Sequence, residues 1–472
     1  MASDEWRAKT RNPRPPTPNS LSPDPFQHMD AFRIIGGNPL SGSVEVSGAK
    51  NAALPIMAAS LLADGPVCLT HVPALTDVRT MALLLGRLGV ECNRHEDGSL
   101  RLETVDASPT TADYHLVRRM RASFCVLGPL LARRGRAVVS LPGGCAIGDR
   151  PVDLHLAGLA ALGATVRIER GYVVAEARRL VGARILLSGP RGPTVTGTAN
   201  ILSAAVLARG TTIITGAARE PEIVDLGQFL NSLGARINGL GTRTIEITGV
   251  DSLGGGQHRV IPDRIEAATL LVAAAASGGE ATVTGVVPEH LTAVLAKLDD
   301  FGTEVSIEQD RVAVRAARRL RPVRVIAQAY PGIPTDVQSQ FMALACLADG
   351  ASVVDDLVFA ERFHHVAELI RLGACIDRDG NRAFVRGVPS LSGAEVTAAD
   401  LRASAALVVA GLAARGVTTL HRIDHLDRGY ERLDAKLNRL GARIDRLRIA
   451  RGRHTAKRAC QEPLSVHTRT EE

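Results

Sequence analysis

Aromatic residues make up only 3% of this 472-residue chain, with one Trp, four Tyr and nine Phe. So sparse a supply excludes a nucleic-acid reader built on stacking platforms. Ala, Val, Leu and Gly abound instead, which points to cores of small, closely approaching helices and strands. The seven cysteines (68, 92, 125, 145, 346, 375 and 460) include no CxxC pair and no Cys/His cluster at metal spacing. That argues against a structural zinc and for reduced thiols. Long apolar runs are missing as well, since AATLLVAAAA at 267–276 falls far short of the roughly 20 residues that span a bilayer. With no secretory signal, the expectation is a cytoplasmic protein without membrane insertion.

Positive charge is abundant only locally. The formal net charge is +7, yet residues 446–472 hold seven Lys/Arg against three Asp/Glu, so the rest of the chain carries +3. A basic tail, not a basic body, sets the isoelectric point. Residues 1–30 contain six prolines among polar residues and read as a disordered leader; the tail 449–472 reads the same way.

Between these ends lies an internal repeat. A helix of small residues ending in Gly and running into a Val/Ile/Thr strand occurs six times, with that Gly at 65, 135, 210, 279, 350 and 416. Each is followed by a second amphipathic helix closing on a Leu/Phe-Gly signal, with Gly at 89, 163, 234, 302, 373 and 441, and by another strand. Six helix–strand–helix–strand units mean α/β architecture, three per domain, with a boundary near 260. The two glycines are 23 to 25 residues apart in five units and 28 apart in the second. That surplus falls in LPGGCAIGDRPVDL (141–154), a Gly-rich insertion on a regular scaffold, where function tends to sit.

The first helices begin with polar or charged residues and continue apolar. Asp336 and Asp400 suit the N-cap position. Lys50, Arg121, Arg264 and Arg402 fit less easily, because a cation in a helix's first turn opposes the dipole. An anionic ligand at converging helix starts would compensate; so would pairing with nearby Asp or Glu. Five cysteines (68, 92, 125, 346 and 375) fall inside strands or helices and read as inert small hydrophobes. Cys145 sits in the Gly-rich loop, five residues before Arg150, a setting that exposes the thiol beside a cation.

The segments SGAKNAALP, MRAS, LPGGCAIGDRPVDLH, AAREPEIVDL, PDRIEA, PTDVQSQF, DLRASAALVVAG and HLDRGYE together resemble the UDP-N-acetylglucosamine enolpyruvyl transferases of peptidoglycan synthesis, over about 33–448. The resemblance implies a two-domain inside-out α/β barrel of six βαβαββ units. It also implies that the first strand returns to the second domain, giving 50–261 as one domain and 31–49 with 262–448 as the other. The implied reaction is addition then elimination between phosphoenolpyruvate and a sugar hydroxyl, with no metal and no organic cofactor.

By motif, Cys145 matches the general acid and fosfomycin target, and Asp336 the base for the hydroxyl. Lys50, Arg150, Arg402 and Arg428 match the cations around phosphate and carboxylate, with Asp400 orienting them and Arg362 and Asn51 close by. Asn51, Arg121, Asp336 and the run Arg150, Pro151, Val152, Asp153 and Leu154 match contacts to the nucleotide sugar. Val358 matches a backbone contact, and Thr194, Val195 and Gly197 lie on a diphosphate loop. The chain departs from the family at Ala199, Ala360, Glu361 and His364, which bears on the acceptor rather than the chemistry.

Three readings follow. The first is the housekeeping transferase acting on UDP-N-acetylglucosamine. The second keeps the transfer but uses another uridine nucleotide such as UMP in secondary metabolism. The third is a non-catalytic UDP-sugar-binding paralogue. Enolpyruvylshikimate phosphate synthase would share the fold, but its acceptor is not a nucleotide. Oligomeric state stays open, a monomer being compatible with all of this.

Overall fold

A computed structural model describes residues 28–142 and 151–450. The Pro-rich leader to residue 27, the tail beyond 450, and the loop 143–150 with Cys145 and Arg150 lie outside the described residues. Asp30–Leu447 forms one compact unit.

Each of the six repeats builds a four-stranded sheet. In the fifth, strand Arg324–Ala327 runs parallel to Ala351–Asp356, which pairs antiparallel with Arg382–Arg386, itself antiparallel to Cys375–Asp379. Side chains alternate between faces, as in Thr244–Thr248, where Ile245 and Ile247 are buried and Glu246 is exposed. Each sheet therefore keeps one wet face and lays the other on helices.

Three sheets are completed by strands distant in sequence. Ser41–Glu45 lies parallel to Glu280–Thr284, Gly256–Arg259 lies parallel to Val67–Thr70, and His28–Ile35 pairs antiparallel with Val417–His421.

The first helix of each repeat stands inside. Helices Arg264–Ala276, Thr335–Ala345 and Leu401–Ala413 pack against one another, and every residue of Arg264–Ala276 is buried. A helix enclosed on all sides must be apolar all round and slim, which RIEAATLLVAAAA satisfies. This is the inside-out α/β barrel, and it explains why aromatics are scarce. The second helices end as the repeat signal demands: Gly89, Gly163, Gly234, Gly302, Gly373 and Gly441 all adopt left-handed backbone, with φ from +78° to +108°, which costs glycine little.

Buried apolar side chains form two cores. One gathers residues between Ala49 and Val260; the other gathers residues of 32–46 and 265–444. The chain passes between them twice, and the two passages are tied together. Asp263 N donates to Ser47 O at 2.9 Å, Ala49 N to Ile261 O at 2.7 Å, and Gly48 pairs with Pro262. A methyl group on Gly48 would overlap the carbonyl oxygen of His71, so the passage admits only glycine.

This yields a paired expectation. Gly48→Ala should destabilise the protein by about 1–3 kcal/mol, because the opposing atom is backbone and cannot step aside. Gly86→Ala, in the exposed face of helix Thr76–Arg87 with open space around it, should stabilise by about 0.5–1 kcal/mol. Denaturant unfolding of the two variants checks both signs.

Candidate active site

Helix starts from both cores converge on one cluster of charge. Lys50 opens helix Lys50–Ala59, Asp336 is the second residue of Thr335–Ala345, and Arg402 the second of Leu401–Ala413. Asp263 draws the two cores together. Its Oδ1 caps its own helix, accepting from Ile265 N (2.8 Å) and Glu266 N (3.1 Å), while Oδ2 accepts from Lys50 N (3.2 Å).

Asp336 is held from several sides. Arg362 Nη1 lies 2.7 Å from Oδ1 and Arg402 Nη2 2.8 Å from Oδ2, and Asn51 Nδ2 donates to Oδ2 at 3.4 Å. A second carboxylate, Asp77, joins Lys50 Nζ (3.4 Å) to Arg428 Nε (3.0 Å). Behind Arg402 lies the Tyr430 ring, 5.2 Å from the guanidinium carbon. The Tyr430 hydroxyl is fixed by Thr269 Oγ1 (2.9 Å) and Gln340 Nε2 (3.1 Å). Arg402 is thus sandwiched between a ring face and a carboxylate, which orients its fork.

Electrostatics follow from this crowding. Burial alone would raise the Asp336 carboxyl, but Arg402, Arg362 and Lys50 hold it well below the usual carboxylate range. Lys50 is lowered, first by burial and then by Arg402 and Arg428, against the pull of Asp77 and Asp336. Arg402 stays firmly charged: burial opposes its charge most, but Asp336, Tyr430 and Asp263 together overcome that and raise it. Arg402 Nη1 and Arg362 Nε are buried, yet among the described residues neither has a hydrogen-bond acceptor. Such donors are costly unless something accepts from them.

Beside the cluster, Thr335 Oγ1 accepts from Arg362 Nη1 (3.1 Å) and donates to Asp356 Oδ2 (2.6 Å). Asp356 Oδ1 in turn accepts from Val358 N and Phe359 N, at 2.9 and 2.8 Å. Val358 lines a cavity of about 750 Å³, within the size range of small-molecule sites. Its other walls are the segment 188–193, residues near 217 and 243, and the loop 328–332, so both cores contribute. Nearby, His155 bonds Thr196 Oγ1 (3.2 Å) and Asn200 Nδ2 (2.9 Å), tying helix Asp153–Ala161 to helix Val195–Ala205.

Comparison with known proteins fits this geometry. Residues 34–437 match the family described as EPSP synthase (3-phosphoshikimate 1-carboxyvinyltransferase). The UDP-N-acetylglucosamine 1-carboxyvinyltransferase of Desulforapulum autotrophicum is 52% identical over 421 residues, covering 89% of this chain and all of that one. UDP-N-acetylglucosamine 1-carboxyvinyltransferase 2 of Carboxydothermus hydrogenoformans is 53% identical with the same coverage. The chain belongs to the UDP-N-acetylglucosamine 1-carboxyvinyltransferase family. Among solved structures, the enolpyruvyl transferase NikO from Streptomyces tendae matches with a TM-score of 0.80 at 28% identity, over 89% of this chain and all of that one. EPSP synthase from Acinetobacter baumannii, with a TM-score of 0.69 at 19% identity over 89% of this chain and all of that one, shares the fold.

Within this carboxyvinyltransferase, Lys50, Asn51, Asp336, Arg362, Arg402 and Arg428 come together. Asp400 stands behind them, capping its helix through Arg402 N (2.8 Å) and Ala403 N (3.1 Å). Asp336 is not the N-cap that its position suggests. Pro334 holds that place, and the Asp336 carboxylate goes to the arginines. Arg264 needs no ligand either, because Glu222 pairs it at 2.9 and 3.1 Å. Arg121 reaches Pro151 O at 3.4 Å, while Thr194 caps helix Val195–Ala205 through Gly197 N.

Of the cysteines read as inert, burial pushes the thiols of Cys125 and Cys346 up to about 12, but Cys375 is exposed. Asp77, Tyr430 and Thr335 were not singled out in the sequence; each reads there as an ordinary helix-start or core residue. None of Ala199, Ala360, Glu361 and His364 lines the cavity, and Glu361 pairs with Arg378 at 3.3 Å.

Beneath the cluster, Glu266 accepts from Ser47 N (2.6 Å) and from Lys436 Nζ (2.7 Å), where the chain passes between the cores. Burial raises its carboxyl from 4.5 to about 7, against the pull of Lys436. A carboxyl raised on folding binds more protons folded than unfolded between those values, so its contribution falls as pH rises from about 4.5 to 7. Compared with Glu266→Gln, the wild type should lose stability over that window, by at most about 1.4 kcal/mol per pH unit. Denaturant midpoints measured across pH 4.5–7.5 test this; parallel curves would refute it.

Proposed function

We propose that the protein transfers the enolpyruvyl group of phosphoenolpyruvate to the sugar hydroxyl of UDP-N-acetylglucosamine, releasing phosphate, in the cytoplasm, as the first committed step of peptidoglycan precursor synthesis. The observation that carries this reading is the pair of buried guanidinium donors on Arg402 and Arg362 without an acceptor among the described residues, beside Lys50 and Arg428. Four cations face two carboxylates, Asp336 and Asp77, an excess suited to a substrate with a phosphate and a carboxylate. Relatives 51–53% identical that carry the name of this activity support the choice of acceptor.

In the proposed chemistry the sugar hydroxyl adds to C2 of phosphoenolpyruvate while C3 gains a proton. C3 then loses a proton as the C2–O bond to phosphate breaks. Lys50, Arg362, Arg402 and Arg428 would neutralise the phosphate and carboxylate, and Asp336 would take the hydroxyl proton. Cys145, on sequence resemblance, would supply the proton to C3, with Arg150 adding to the anion site. Asp400 acts as a positioning residue for Arg402. The domain division is proposed to follow the two cores, with 50–261 against 31–49 and 262–448, and the cleft between them as the substrate site.

Phosphate release with phosphoenolpyruvate and UDP-N-acetylglucosamine tests the acceptor directly. Turnover with that pair and not with UMP is the expected result; silence with it, and turnover with UMP, would overturn the housekeeping role. Cys145→Ala should abolish turnover and leave nucleotide binding intact. Asp336→Asn should lower kcat by about 10²–10⁴. Unchanged turnover in either variant removes that residue from the mechanism. Fosfomycin inactivation, with mapping of the modified side chain, locates the thiol independently.

A further inference from the structure

His425 lies on the short 3-10 turn Ile423–Arg428, and a neighbour fixes its chemistry. Its Nε2 stands 2.9 Å from Arg422 Nη2. A guanidinium can only donate, so Nε2 must offer its lone pair, and the proton of the neutral ring must sit on Nδ1. Burial lowers the imidazole from 6.5, and Arg422 and Arg428 add to that against Asp424 and Asp400, so the ring is neutral at neutral pH. Nδ1 is itself buried, and among the described residues nothing accepts from it. Arg402 Nη1 and Arg362 Nε, in the cation cluster, share that condition.

Placement links the ring to the same cluster. Side chains three apart on a 3-10 turn eclipse one another, so His425 projects on the face that carries Arg428. The turn packs against helix Leu401–Ala413, capped by Asp400 and carrying Arg402, and against helix Thr76–Arg87, whose Asp77 holds Arg428 Nε at 3.0 Å. Arg422 itself takes left-handed backbone, with φ +60° and ψ +46°, a conformation that residues other than glycine seldom adopt. Such strain persists only where the surroundings fix it, and here it accompanies the contact that sets the tautomer.

We propose that His425 is a further substrate-binding residue, its Nδ1–H donating to an anionic oxygen of phosphoenolpyruvate beside Arg428, and that Arg422 is a positioning residue that keeps the ring in that tautomer. This rests on the phosphoenolpyruvate reading above and adds two residues that reading does not include. A neutral donor suits the place. A further full cation beside Lys50, Arg362, Arg402 and Arg428 would repel them, whereas an imidazole N–H adds a directed hydrogen bond to the anion without adding charge.

The test uses the full-length enzyme with His425→Ala, His425→Asn, His425→Gln and Arg422→Ala. Removing the donor in His425→Ala should raise KM for phosphoenolpyruvate by about tenfold, as for one lost hydrogen bond to a charged group. The KM for UDP-N-acetylglucosamine should stay within about twofold of wild type, since the nucleotide does not use this donor. Asn places an amide N–H near the position of Nδ1 and should recover part of the loss; Gln, whose amide reaches toward Arg422 instead, should not. In ¹⁵N-histidine NMR spectra one Nδ1–H signal of the wild type should vanish in His425→Ala and give way to the Nε2–H form in Arg422→Ala.

An unchanged phosphoenolpyruvate KM in His425→Ala would overturn the proposal, and so would a wild-type His425 that carries its proton on Nε2. Equal impairment in the Asn and Gln variants marks a packing role and overturns it as well; that comparison decides the matter even where His425→Ala fails to fold. If the wild type shows no turnover, the reading of function falls, and calorimetric titration of phosphoenolpyruvate into wild type and His425→Asn and His425→Gln variants still decides the donor. Weaker binding in Gln than in Asn supports it, and equal binding in all three removes it.

Discussion

One carboxylate, that of Asp336, holds two buried guanidinium groups in place and is itself held by them. Remove it, and Arg362 and Arg402 would face each other across a buried space without a counter-charge, which is among the costliest arrangements a protein interior can contain. Its position depends in turn on a helix start, because the second residue of Thr335–Ala345 projects where helices from the other repeats also begin. The threefold packing of slim, Ala-rich helices sets that convergence. Aromatic side chains at those crossings would push the helix starts apart and the charges with them.

The two cores meet through a few directed contacts rather than a broad apolar seam. Asp263 caps its own helix and accepts from Lys50 N, Glu222 grips Arg264, and Asp77 joins Lys50 to Arg428. Each of the three carboxylates lies at a helix N-terminus, where backbone N–H groups favour negative charge. The same geometry that stabilises the acids makes the neighbouring cations expensive, so the carboxylates offset the cations until an anion arrives.

Much of this was legible in the sequence, for a physical reason. Repeats whose helices end on glycine announce themselves because Gly89, Gly163 and their equivalents must turn left-handed, and few other residues do so cheaply. Cations at helix starts stood out because they violate a local rule, and local violations gather at functional sites. What escaped notice were partners that obey every local rule. Asp77 sits in a first helical turn, where acids are ordinary; Tyr430 and Thr335 look like core and cap. Only the third dimension brings Asp77 beside Lys50 and Arg428, residues 27 and 351 positions away. Arg264 shows the opposite error, since its rule-breaking charge is answered within the protein, chiefly by Glu222.

The base role proposed for Asp336 poses a last question, because a carboxylate held well below the usual range is a poor base. The resolution lies in what depresses it. Burial by itself would raise the carboxyl; Arg402, Arg362 and Lys50 overcome burial. An anionic substrate that accepts from Arg402 and Arg362 draws their charge away from Asp336 and leaves burial as the larger influence. The carboxylate then rises toward the range in which it can take a proton from a hydroxyl. On the proposed roles the cations would act twice, neutralising phosphoenolpyruvate and, by turning to it, arming Asp336 for the acceptor hydroxyl. In that proposed role its base strength would be tied to the occupancy of the anion site beside it.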